Sequence, residues 1–129
     1  MMLTQQLLGQ HQALRAALDE VRRLGPGTEQ GQERLRQMRQ LLIAHLHKED
    51  AELYPELLRH PDTASLADRY AADMQGLARD ILAFFDDFSS GGDAMEFARR
   101  YGRMRAQLIQ RLTREELRLY PAWDAIQDK

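Results

Sequence analysis

The chain has 129 residues, a formal net charge of −2 and 29% charged residues of both signs. That is enough for one domain, residues 1–129, with one core, and it gives no electrostatic pull toward nucleic acid or an anionic membrane. The absence of cysteine excludes disulfides, thiolate metal sites and cysteine catalysis. No apolar run approaches the ~20 residues of a membrane span. The opening MMLTQQLLGQHQ has neither a basic leader region nor a signal-type apolar core, so a cytoplasmic location is expected.

Three breaks punctuate the chain: GPGT at 25–28, HPDTAS at 60–65 and SSGGD at 89–93. Between them helix formers dominate and β-branched residues are scarce. The first segment carries an apolar stripe at Leu3, Leu7, His11, Leu14, Leu18 and Val21. The second runs Leu35, Met38, Leu42, His45, Glu49 and Leu53. The third runs Leu66, Tyr70, Met74, Leu77, Ile81, Phe84 and Phe88. The fourth opens on Asp93, a predicted N-cap with Glu96 as its capping-box partner. Its stripe is Phe97, Tyr101, Met104, Leu108, Arg111, Glu115 and Leu119. All four stripes have the helical period. Short connections make neighbours antiparallel, so the economical fold is all-α, an up-down-up-down four-helix bundle. An open helical array and a helix-swapped dimer are its alternatives.

His11, His45, Glu49, Arg111 and Glu115 stand where the seam calls for leucine. Each lies near the middle of its segment. Antiparallel helices of similar length bring their midpoints to one level, so these side chains should meet in one layer, with Met74 joining from the third helix. A lone histidine on an apolar stripe is more often a satisfied core residue than a ligand. Five ionisable groups at one depth are another matter, because burying each is costly unless it pairs or binds an ion. Met74 by itself carries no such weight, since methionine at helical spacing is usually core. His47 points away from the face shared by His45 and Glu49, and His60 precedes Pro61 in a turn, so both should be solvated.

The second and fourth segments are similar. Residues 34–55, RLRQMRQLLIAHLHKEDAELYP, lie over 100–121, RYGRMRAQLIQRLTREELRLYP, without a gap and with ten identities in 22 positions. The identities include Glu49/Glu115, Tyr54/Tyr120 and Pro55/Pro121, while His45 is set against Arg111. More weakly, HQALRAAL at 11–18 matches MQGLARDI at 74–81, setting His11 against Met74. The bundle reads as a duplicated helical hairpin. Its symmetric ancestor would carry a histidine on each odd helix and a His-x-x-x-Glu pair on each even one, a set suited to two adjacent metal ions. Pro55 and Pro121 should each interrupt a backbone hydrogen bond and bend the helix just past the site.

HQAL at 11–14, HLHKEDAELYP at 45–55 and EELRLYP at 115–121 resemble the hemerythrin-like family of HHE cation-binding domains, and the resemblance spans essentially the whole chain. It implies a non-haem di-iron centre. Carried over by position, one iron would use His11 and His45, with Glu49 and Glu115 as bridging carboxylates. The other would need histidines where Met74 and Arg111 stand, and nearby Ala78 offers no ligand. One half of the site is kept and the other is gone.

Arg111 puts a permanent charge where a cation would sit. Its planar fork can satisfy two carboxylates, so it is expected to replace the second metal electrostatically by holding Glu49 and Glu115. The competing reading has Arg111 reaching out to solvent with Glu115 facing water. The expected function is a binding or regulatory module with at most one metal ion per chain. The donors suit iron(II), zinc or manganese; the resemblance favours iron, with oxygen or nitric oxide as a conceivable ligand. The alternative is a metal-free bundle that works through contact with a protein partner. No further acid/base pair or phosphate-binding glycine loop supports an oxidase or hydrolase.

Overall fold

The computed structural model describes residues 2–127. Four rods form the molecule. α1 is Met2–Leu24 and α2 is Glu29–Lys48. α2 runs through a π-helical turn, Glu49–Leu53, into α3, Tyr54–Arg59. α4 is Ala64–Asp87. α5, Ala94–Arg114, runs through a second π turn, Glu115–Leu119, into α6, Tyr120–Gln127. α1 packs on α2, α2 on α4, α4 on α5 and α5 back on α1. That closes the predicted all-α bundle. None of the described helices is long and apolar enough to cross a membrane.

The breaks work through local chemistry. Thr28 caps α2 by accepting a hydrogen bond from the Gly31 N–H at 3.0 Å. Gly25 has φ +72° and carries the chain out of α1. Its carbonyl lies so close to Gly31 that a Cβ there would sit 1.7 Å from the oxygen. Asp93 caps α5 through the Glu96 N–H at 2.8 Å, as the sequence predicts. The other arm of the expected capping box is not made, because the Glu96 carboxylate pairs with Arg99 at 2.6 Å.

Both π turns begin at a glutamate and end just before the Tyr-Pro pair. Pro55 has no N–H to give the Ala51 carbonyl, and its ring would crowd that group in a regular helix. The backbone widens instead, and the Tyr54 N–H bonds the Glu49 carbonyl five residues back. The Tyr120 N–H bonds the Glu115 carbonyl in the same way. The adjustment therefore starts at the glutamates, not past the site as the sequence predicts. It also resets the helix face: Leu53 and Tyr54, and likewise Leu119 and Tyr120, are all buried.

The first, second and fourth predicted stripes are buried along their length. The third is not. Leu66, Tyr70 and Leu77 are half-buried, and Ala67 and Met74 face the interior. A stripe drawn through large residues misses alanine, whose small side chain lets the helix backbone approach the core while leucine and tyrosine flank it. Apolar packing falls into two clusters. One surrounds Leu14, Met38, Ile81 and Leu108. The other surrounds Leu7, Leu57, Leu119 and Trp123.

Two glycines test this packing. Gly31→Ala forces its methyl onto the Gly25 carbonyl and should destabilise the fold by about 1–3 kcal/mol. Gly9→Ala, on α1, meets nothing within 4 Å and should stabilise it by about 0.5–1 kcal/mol. Chemical denaturation of the two variants beside the parent checks both signs.

Candidate metal centre

Between the two apolar clusters lies a polar layer. α1 supplies His11, the end of α2 supplies His45, and the first residue of each π turn supplies Glu49 and Glu115. All four are buried, with one potential donor atom from each lying within 4.8 Å of the others. His11 Nε2 is 3.2 Å from His45 Nε2 and 2.9 Å from Glu115 Oε1. His45 Nε2 is 3.3 Å from Glu49 Oε2 and 3.4 Å from Glu115 Oε1. Bonds of about 2.1 Å to one ion place adjacent ligand atoms about 3.0–3.4 Å apart, close to these four distances.

The surroundings fix the imidazoles. His11 Nδ1 is 2.6 Å from Glu116 Oε2, which Arg15 also holds at 2.6 Å. His45 Nδ1 is 2.8 Å from Gln10 Oε1. Those oxygens accept, so each Nδ1 carries a proton and each Nε2 faces inward, where a neutral imidazole would present its lone pair as metal-bound histidines do. The layer then directs two imidazole nitrogens and two carboxylates at one space. The hydroxyl donor among them is Tyr120, 2.7 Å from Glu49 Oε2, 3.0 Å from Glu115 Oε1 and 2.9 Å from His11 Nε2. Glu49 Oε1 is buried with no partner among the described residues. Such a surplus of acceptors suits a cation.

Electrostatics follow from this crowding. Burial alone would lower the His45 imidazole, but hydrogen bonds and charge from Glu115 and Glu49 raise it to about 9. Burial and the neighbouring Glu115 push the Glu49 carboxyl up. Burial also works against ionised Glu115, yet His11, His45 and Arg111 together hold its carboxyl well below the usual range. Without a cation, a proton on His45 takes part of the cation's place.

Arg111 is buried beside Glu115. Its Nε donates to Glu115 Oε2 at 3.0 Å, and its Nη2 to the Tyr54 hydroxyl at 2.9 Å and the Tyr70 carbonyl at 2.8 Å. The guanidinium stacks 4.7 Å from the centroid of the Tyr70 ring. The arginine therefore does not reach out to solvent with Glu115 in water. Nor does it fork across both carboxylates, because Tyr54, drawn inward by the π turn, takes the arm expected to reach Glu49. Met74 is buried and belongs to the apolar cluster around Leu42 and Leu108. His47 is exposed and His60 half-exposed.

The polar partners Tyr120, Tyr54, Glu116 and Gln10 were not among the predicted site residues. Both tyrosines are identities of the internal repeat, which is a signal. A 3.6-residue period places them off the seam, and only the π turns bring them in.

The family model described as hemerythrin HHE cation binding domain matches residues 2–123. No curated protein and no solved structure matches the chain.

Two measurements test these electrostatics. His45 has a folded pKa above its ordinary 6.5. In metal-free protein its contribution to stability is therefore fully present below about pH 6.5 and lost as pH rises through about 9. Denaturation midpoints of chelator-treated protein should fall across that window, and His45→Ala should flatten the fall. Arg111→Leu leaves the Glu115 charge buried without its guanidinium and should cost about 3–5 kcal/mol. Adding Glu115→Gln should recover much of it. A negligible shift in the unfolding midpoint of Arg111→Leu would refute the pairing.

Proposed function

Because the chain belongs to the hemerythrin HHE cation-binding family, we propose that it is a binding or regulatory module holding one metal ion between His11, His45, Glu49 and Glu115. One observation carries this reading: His11, His45, Glu49 and Glu115, all buried, each bring a potential ligand atom to one space, and Glu49 Oε1 has no hydrogen-bond partner among the described residues. Two imidazoles with two carboxylates suit iron(II), zinc or manganese, and the family favours iron. An ion held by these four residues would supply a Lewis-acidic centre at which a small diatomic ligand such as oxygen or nitric oxide could bind. The protein's own part is positional. Glu116 and Gln10 hold the imidazoles in the ligating tautomer, Tyr120 orients both carboxylates, and the two apolar clusters keep bulk water away.

The second metal position of the ancestral hairpin is, in this reading, replaced rather than merely lost. Arg111 puts a fixed positive charge on Glu115 Oε2, and Met74 offers no strong donor. A two-iron carrier is not proposed, because two-electron reduction of oxygen draws one electron from each of two irons.

A metal-free bundle acting through protein contact is the second reading. It is favoured by the fact that both Glu115 oxygens already have partners, Oε2 in Arg111 and Oε1 in Tyr120 and the histidines. Metal analysis decides between the two. Protein purified without chelating resin and loaded with iron(II) should bind one ion per chain. His11→Ala and His45→Ala should each abolish binding, and His47→Ala should leave it unchanged. Two tightly held ions would refute the replacement of the second metal by Arg111, and none would favour the metal-free reading.

A further inference from the structure

Arg111 also faces a second environment. With Nε and Nη2 engaged, Nη1 has no hydrogen-bond partner among the described residues. The side chain forms the buried wall of a surface cavity of about 330 Å³ between α4 and α5. Arg69, Arg114 and Arg118 line the same cavity and are exposed. Arg111, Arg114 and Arg118 recur three and four residues apart, so the end of α5 and its π turn present them on one face. Arg69 comes from α4. None of these three exposed arginines makes an ion pair among the described residues, which is also true of Arg22, Arg34, Arg39, Arg79 and Arg103 elsewhere, so it is their convergence on one cavity that sets them apart. Asp73 is the cavity's one acidic group. A chain of net charge −2 thus gathers three exposed cations against one anion in one cavity, backed by Arg111, whose charge also balances Glu115.

We infer that this cavity binds a phosphate group, free or esterified on a small molecule. Phosphate carries about −1.5 to −2 charge at neutral pH with several acceptor oxygens, which suits the surplus of positive charge better than a single carboxylate does. Guanidinium forks match oxyanion geometry. The buried Arg111 offers its free donors in a poorly screened setting, and the three exposed arginines attract the anion from solvent in a salt-dependent way. Leu66 and the Tyr70 ring provide an apolar wall for the body of an ester. The volume lies at the small end of the range for small-molecule sites, about 300–1,000 Å³. None of the cavity residues is a proposed metal ligand, although Arg111 also holds the Glu115 carboxylate and so belongs to both the cavity wall and the polar layer.

Calorimetric titration of the whole protein with inorganic phosphate, glycerol 3-phosphate and succinate tests it. Phosphate or its ester should bind at one site per chain, more tightly than succinate, with affinity falling as salt rises. A tighter ester identifies a phosphorylated small molecule as the better ligand, and equal affinities identify free phosphate; either supports the inference. Arg69→Gln, Arg114→Gln and Arg118→Gln should each weaken binding about two- to fivefold, and the triple variant about tenfold or more. All three are surface changes, and unchanged melting would show that the fold is intact. Arg36→Gln, away from the cavity, should have no effect. Absence of saturable phosphate binding would overturn the inference. So would succinate binding more tightly than either phosphate, or Arg36→Gln weakening binding as much as the cavity variants.

Discussion

The Glu115 carboxylate is the point on which the rest of the structure depends. It is almost wholly buried, and a buried charge is tolerated only when its lone pairs are met. One oxygen faces the two imidazoles and the Tyr120 hydroxyl, and the other faces Arg111. All four rods are thereby tied to one group: α1 through His11, the second rod through His45, the fourth through Arg111 and Tyr120, and α4 through the Tyr70 carbonyl that Arg111 holds. Apolar clusters on both sides exclude water, which strengthens each contact and raises the penalty for leaving any of them unmet. A layer of this kind specifies how the rods pair.

The two prolines connect this layer to the sequence. A proline six residues after each glutamate removes one backbone donor, and the helix answers with a π turn that begins at the glutamate itself. The same turn carries the tyrosine, five residues on, over the carboxylate. The phrase Glu-x-x-x-Leu-Tyr-Pro is therefore one device: buried carboxylate, apolar contact, hydrogen-bonding phenol and backbone break. Its second copy makes the full set of contacts, with the Tyr120 hydroxyl on Glu49, Glu115 and His11. In the first copy, Tyr54 instead receives a hydrogen bond from Arg111.

Much of this was legible in the sequence, for physical reasons. Four stripes of period 3.6 separated by Gly, Pro and Ser breaks predict the bundle, and polar residues at mid-stripe predict the layer, because a midpoint in one antiparallel rod meets a midpoint in the next. What was not legible depends on departures from that period. Tyr54 and Tyr120 sit off the seam until the π turns rotate them inward. The α4 face was misplaced because Ala67 weighs little in a pattern dominated by Leu66 and Tyr70. Gln10 and Glu116 adjoin His11 and Glu115 in sequence, but nothing in a period shows that a side chain next to the seam will turn back to hold an imidazole.

The asymmetry between the two copies has its own logic. On the His11 and His45 side, Glu115 meets imidazole nitrogens, and, against the effect of burial, the hydrogen bonds and charge of Glu115 and Glu49 raise the His45 imidazole to about 9. On the other side it meets a guanidinium that stays charged at every accessible pH. Only a planar fork serves there. In a single geometry it places one N–H on Glu115, others on the Tyr54 hydroxyl and the Tyr70 carbonyl, and its face on the Tyr70 ring. A lysine is a point charge with three donors on a flexible stem and could not hold the carboxylate, the hydroxyl and the carbonyl while stacking on the ring. The arginine therefore fixes one half of the layer with a charge that does not titrate, while the imidazoles meet the other oxygen of the same carboxylate.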